Sequence, residues 1–355
     1  MKRVGFSLTG LLAICAFLSA QDVIINPDKP LNPKAGRVLE LREEMRITDE
    51  GGEFFLRRPR IVKAAPDGSL FILERENLYH LDRDGRYLGD FFKKGQGPGE
   101  VNYVSNFDFD RDRLIVQSSY PEKAVWFDLS GRLAKDVSLG RIGRRVEFAF
   151  YSDGTYWLFQ YAVPAFSAKP EEADMPQILT AVSEDGRDVR EFASFANRIF
   201  HAGGGIVSQD LLFAPLGKRY LCISHTRNYE IDEFDCREGK IIRTFGRKYA
   251  RVKRPKGYAE PAIILNGTSY EAPGVEYLPD IGGLFVFKDR LWAMTSTKDD
   301  KRGVLVDVYD LEGKYVDAVY LNVSGTLVNT HGDSILVREK RADGLMQIVM
   351  YKVVS

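Results

Sequence analysis

The stretch Tyr79-His80-Leu81-Asp82-Arg83-Asp84-Gly85-Arg86 decides how the chain is read, because its pattern returns four more times. A β-type run ends on an apolar residue. An acid or a small polar residue follows, then a turn closing on Gly, then a charged residue that starts the next run. The copies are Val125-Trp126-Phe127-Asp128-Leu129-Ser130-Gly131-Arg132, Ala181-Val182-Ser183-Glu184-Asp185-Gly186-Arg187, Glu233-Phe234-Asp235-Cys236-Arg237-Glu238-Gly239-Lys240 and Val308-Tyr309-Asp310-Leu311-Glu312-Gly313-Lys314. The acid can accept backbone N–H bonds inside the turn, and Gly supplies a positive φ without steric cost. Each copy therefore reads as a hairpin corner between two strands. The glycines fall at 85, 131, 186, 239 and 313, with gaps of 46, 55, 53 and 74 residues.

Upstream of the corners lie Leu70–Leu73, Arg113–Ser118, Thr155–Tyr161, Tyr220–Thr226 and Arg290–Thr295, each read as a strand with a wet/dry alternation. Earlier still come Ile61–Ala65, Phe148–Tyr151, Leu211–Pro215 and Leu284–Phe287. After the glycines come Tyr87–Phe92, Leu133–Leu139, Val189–Phe195, Ile241–Phe245 and Tyr315–Leu321. Four antiparallel strands per unit of about 45–55 residues predict the blades of a β-propeller. A sixth unit, Leu327–Thr330, Ser334–Arg338 and Met346–Val353, lacks its fourth strand. Val38–Ile47 is predicted to supply it, with Leu39, Leu41, Met45 and Ile47 on one face. Closing the ring in this way removes two unpaired sheet edges. The competing reading of that segment is a short amphipathic helix, which Glu43 and Glu44 suit. The predicted fold is all-β: a six-bladed β-propeller over residues 37–355, four antiparallel strands per blade, closed by an N-terminal strand.

The 355 residues are 44% hydrophobic and 28% charged, which is globular composition. Fifty Lys and Arg balance fifty Asp and Glu. No bulk field draws in nucleic acid or an anionic membrane. Met1-Lys2-Arg3 precedes an apolar run from Val4 to Leu18, closed by Ser19-Ala20. This reads as a secretory signal over residues 1–20, cut between Ala20 and Gln21. Residues 21–36 read as a linker. Loss of Lys2 and Arg3 from the fifty bases leaves 48 against fifty acids. No later segment is apolar enough to span a membrane, and the expected product is a periplasmic or extracellular monomer.

Only Cys222 and Cys236 remain after the leader. If Tyr220–Thr226 and Tyr229–Cys236 form a hairpin around Arg227-Asn228, Cys222 faces Glu233. Cys236 then lies three positions further along, beyond disulfide reach. Two buried thiols are expected.

Gly95-Gln96-Gly97-Pro98-Gly99-Glu100 follows the first unit as a stiff, side-chain-poor connector. With Pro66-Asp67-Gly68-Ser69-Leu70 and Leu81-Asp82-Arg83-Asp84-Gly85, it resembles the bacterial exported six-bladed β-propellers, which are similar to NHL-repeat propellers. The resemblance is strongest over residues 53–140. It implies fold and export, and it leaves the activity open.

No catalytic signature accompanies this. His80, His201, His225 and His331 form no HExxH or close pair, no GxSxG elbow is present, and Gly203–Gly205 is followed by no GK[ST]. Asp110-Arg111-Asp112 resembles half a calcium loop but reads as a turn. Arg247–Asp280 opens with six basic residues in ten, and Val163–Pro176 is rich in Pro; both read as surface loops. Trp126, Trp157 and Trp292 read as packing between blades. The positions where innermost strands begin give the candidate ligand site: Arg58, Arg60, Asn106, Glu147, Gln209, Asp210 and Asn329. The leading expectation is a binding module for a protein, peptide or glycan, with no cofactor. The alternative is a lactonase-like hydrolase or lyase, with a divalent ion such as calcium on Asn106, Glu147 and Asp210.

Overall fold

The computed structural model describes residues 22–49, 51–75, 77–91, 93–120, 122–139, 145–161, 171–202, 205–208, 211–217, 219–258, 262–265, 268–271 and 276–354. Among them there is no helix, and six four-stranded antiparallel units follow one another around a ring. Blade 1 consists of Pro59–Ala64, Leu70–Glu74, Asn77–Leu81 and Tyr87–Asp90. Blade 2 runs from Tyr103 to Ser138, blade 3 from Arg145 to Phe195, blade 4 from Leu211 to Arg247, and blade 5 from Ile281 to Leu321. Blade 6 takes Thr326–His331, Ser334–Lys340 and Met346–Val353, and its outer strand is Leu41–Ile47. That strand pairs antiparallel with the last one, Leu41 opposite Val353 and Ile47 opposite Ile348. The predicted closure is therefore the observed one.

The two faces of each blade explain the sequence of its middle strands. Leu70-Phe71-Ile72-Leu73 departs from the expected wet/dry alternation: it is a continuous apolar run because both sides are buried. Phe71 and Leu73 pack against Val104 and Phe107 of blade 2, while Leu70 and Ile72 pack against Leu336 and Ile348 of blade 6. Blade 2 repeats this: Leu114 and Val116 face back to blade 1, and Ile115 with Trp126 faces forward to Ala149 and Tyr156 of blade 3. One such hydrophobic cluster fills each of the six interfaces. The core is thus radial, and the ring is held by sheet-on-sheet burial. Trp126 and Trp292 lie in it, as predicted, and so does Trp157.

The recurring turns do what their composition predicts and one thing more. Asp82, Asp128 and Asp310 each accept two backbone N–H bonds within their turns, and the following glycines have φ of 83°, 88° and 77°. The glycines also touch the preceding blade. A Cβ on Gly186 would stand 2.4 Å from Val137 of blade 2, and one on Gly313 would stand 2.8 Å from Phe245 of blade 4. Gly is required there for closeness as well as for φ.

The GQGPGE connector is also explained. Glu100 folds back so that its carboxylate accepts from the Gly97 N–H at 3.0 Å, in space that a Cβ on Gly95 would occupy. Lys123 and Asp136 of blade 2 then hold the loop. The Lys123 ammonium donates to the Gly97 carbonyl and to Asp136, both at 2.9 Å, and the Gly99 N–H donates to Asp136.

The segment 21–36 contains a strand. Asp22–Asn26 runs parallel to the outer strand of blade 4, and Arg37–Val38 runs parallel to that of blade 5. The buried Asn26 amide donates to the carbonyls of Gly246 and Gly313 and accepts from the Tyr315 N–H. The N-terminal segment therefore straps blades 4, 5 and 6 from outside.

The cysteines lie as predicted. Cys222 is opposite Glu233, and both thiols are free and buried. Arg247 departs from its reading as part of a solvated basic run. It packs, largely enclosed, against the fully buried Asp307 of blade 5, where Asp307 also accepts from the hydroxyls of Tyr229 and Tyr315.

Candidate functional site

The first strand of each blade lines the axis, and all six run in the same sense. The face where they begin is the inlet face, and the face where they end is the outlet face. Tight corners such as Asp82–Arg86 lie at the outlet face. Connections between blades lie at the inlet face.

Several candidate residues turn out to bridge neighbouring first strands. The Asn106 amide nitrogen donates to the Ala149 carbonyl of blade 3, and its oxygen accepts from the Phe107 N–H at 2.7 Å. The Asn329 amide donates to the Val62 carbonyl at 2.8 Å, joining blade 6 to blade 1. Arg60 reaches from blade 1 to the Tyr103 hydroxyl and the Ser105 carbonyl of blade 2. The backbone N–H of Arg58 donates to the buried Glu74 carboxylate, while the Arg58 side chain is exposed. Gln209, Asp210, Ala20, Gln21 and the side chain of Glu147 lie outside the described residues. The structure does not gather Arg58, Asn106 and Asn329 at one point. Asn329 alone of these three lines the axial cavity described next.

That cavity, about 440 Å³, is lined by residues of all six first strands toward their outlet ends. Half-buried Phe109, Tyr151, Phe213 and Phe285 form much of its wall. Its fixed charges are Lys63 and Asp108, paired at 3.2 Å between blades 1 and 2. Burial raises the Tyr151 hydroxyl to about 12, helped by the charge of Asp110, so it is a hydrogen-bond donor at neutral pH. Among the described residues no group of three or more His, Cys, Asp or Glu side chains is placed to hold a metal ion. His80 is stacked on Phe71 with centroids 4.2 Å apart, and burial lowers its pKa below the ordinary value.

The inlet face over blades 3 to 5 carries structure that the sequence reading assigned to loops. Glu171–Asp174, Arg198–Ala202 and Gly205–Ser208 form a three-stranded sheet. They branch from the top of blade 3 and from the connector to blade 4. A hairpin, Ala262–Leu265 with Thr268–Glu271, rises from the connector between blades 4 and 5 and touches the strands of that sheet. Its stem is tied down. Arg251 pairs with the buried Asp280 at 2.9 Å and lies over the Tyr277 ring, and the Asp280 N–H donates to the Thr226 carbonyl. Burial pushes the Asp280 carboxyl up, and the Arg251 guanidinium opposes that shift. His201 is buried within the small sheet beside Glu171. A cavity of about 460 Å³ opens close by, lined by Asp174, Asn197, His225, Arg227 and Asn228 among others. No residue type flagged this layer in the sequence. Its strands are only four or five residues long, and Glu171–Asp174 pairs with Arg198–Ala202 from beyond the third and fourth strands of blade 3.

No family model matches the chain, and no curated protein does. Solved structures do. A Bacteroides fragilis protein described as exported is similar over 94% of this chain and 100% of its own, with 12% identity and a TM-score of 0.56. A member of the DUF4221 family from Bacteroides vulgatus is similar over 89% of this chain and 98% of its own, with 11% identity and a TM-score of 0.53. The likeness is one of fold. It places the six blades and their order among known propellers, and the chemistry of the site rests on this chain's own residues. Among the described residues no helix is long and apolar enough to cross a membrane.

Proposed function

We propose that this chain is an exported propeller acting as a binding module, and that it presents the inlet face over blades 3 to 5 to a protein, peptide or glycan. The observation that carries this is the asymmetry of the two faces. The outlet face is made largely of tight corners, whereas the inlet face bears an additional sheet and a hairpin in mutual contact. Extra layers on one rim of a rigid ring are where propellers and other scaffolds place recognition. Export is supported by the leader pattern of residues 1–20 and by the description of the similar Bacteroides fragilis protein.

The lactonase-like reading is second. It asks Asn106 to ligate an ion, and both ends of that amide are engaged with backbone partners.

The test is replacement of Ala262–Glu271 by a short Gly-Ser linker. Ligand capture from envelope extracts and a glycan array, run on both proteins, is expected to lose its specific signals while the melting temperature holds. An identical set of ligands for the two proteins would overturn the assignment. N-terminal sequencing of the exported product is expected to begin at Gln21.

A further inference from the structure

We propose a second binding site, a saccharide pocket on blade 1 at the inlet face, built from Phe55, Arg57, Glu74, Arg75, Asn77 and Tyr79. These residues line a cavity of about 480 Å³. They come from the segment leading into the first strand and from the turn between the second and third strands. None of them belongs to the layer over blades 3 to 5, so the two sites stand or fall separately.

Glu74 carries the argument. It is 4% exposed, and its carboxylate accepts the Arg58 N–H at 3.0 and 2.7 Å. Among the described residues no cation lies within ion-pair distance of it, although a buried carboxylate is ordinarily paired. Burial accordingly pushes its pKa up, against the opposing effect of the Arg58 and Arg57 backbone N–H groups and of the Arg75 and Arg57 charges. A carboxylate has about four acceptor sites, so capacity remains for hydroxyl donors of a ligand.

The other groups complete a polyol site. The Asn77 amide nitrogen donates to the Tyr79 hydroxyl at 2.8 Å, which leaves the amide oxygen and the phenolic proton. Arg57 and Arg75 are exposed and offer planar forks of donors suited to neighbouring hydroxyls. Arg75 sits at φ 53°, a conformation usually left to Gly or Asn. Phe55 is 54% exposed and supplies a flat apolar platform for the C–H face of a pyranose ring. The charges are mixed. Arg57 and Arg75 stand against Glu74. A neutral sugar fits this balance, whereas a polyanion or polycation does not.

The test is calorimetric titration of the purified chain with maltotetraose, cellotetraose and mannotetraose, each to about 10 mM. Saturable binding of at least one is expected. Phe55→Ala and Asn77→Ala should each weaken it about tenfold or more with an unchanged melting temperature, and the hairpin replacement should leave it intact. Because Phe55 is exposed, its loss does not threaten folding. The proposal is overturned if none of the three sugars saturates, if Phe55→Ala binds as tightly as the parent, or if acidic or basic tetrapeptides bind at this site in place of sugar.

Discussion

Arg247 of blade 4 and Asp307 of blade 5 meet at 2.6 Å inside a wall of tyrosine rings, with Asp307 fully buried. The guanidinium lies over Tyr229, Tyr249 and Tyr315 at 5.0–5.3 Å from their centroids. Removing one partner leaves the other charged and buried. Asp307→Ala is expected to cost about 3–5 kcal/mol of unfolding free energy. The pair Arg247→Met with Asp307→Leu should recover much of that loss. Urea unfolding of the two variants checks this, and equal losses in both would contradict it.

The turn glycines provide a matched pair. Gly186 has φ 71° and a Cβ there would collide with Val137, while Gly154 has φ 80° and nothing within 4 Å. Gly154→Ala should cost about 1 kcal/mol from backbone strain alone. Gly186→Ala should cost a further 1–3 kcal/mol or so, because blades 2 and 3 must separate locally. Thermal unfolding of both variants compares them directly, and similar losses would count against close approach as the reason for Gly186.

The thiols give a prediction with a sign. Burial raises Cys236 from 9.0 to about 12, and burial also pushes Cys222 up, with Glu233 adding to the effect. The native state therefore holds both protons while the unfolded state releases them near pH 9. Stability from this source is complete below pH 9 and declines as pH rises from 9 toward 12. At pH 8 the folded protein should react with neither thiol of a chromogenic disulfide reagent assay, and the urea-unfolded protein with both. Rapid native labelling would refute this.

Lys123 and Asp136 secure the GQGPGE loop from blade 2. Lys123 is 5% exposed, so Asp136→Ala leaves an ammonium with one carbonyl for company. Hydrogen exchange at Gly97 and Gly99 should accelerate, with a stability loss of about 3 kcal/mol. Exchange unchanged at both amides would show that the loop holds itself.

The blade repeat was legible because its information is local. An acid, a Gly and an apolar run suffice to place each corner, whereas the two-sided burial of Leu70–Leu73 runs against the alternation expected of it, because neighbouring blades cover both faces. The closing strand was legible by subtraction, since five blades were complete and one lacked an edge. The bridging roles of Asn106 and Asn329 were not, because their acceptors are backbone carbonyls of other blades. Arg247 was misread for a related reason. It heads a basic run, and its partner Asp307 is 60 residues away. The strand Asp22–Asn26 was missed because Val23 and Ile25 stay exposed, so its pattern carries no burial signal.

Closure by Leu41–Ile47 sets an order of events on the ribosome. Its partner Met346–Val353 is made roughly three hundred residues later, which is about 15–60 s at ordinary synthesis rates. For that interval every nascent chain carries an orphan strand with bare amides, and a premature stop inside the final unit leaves a sprung ring that no earlier blade can seal.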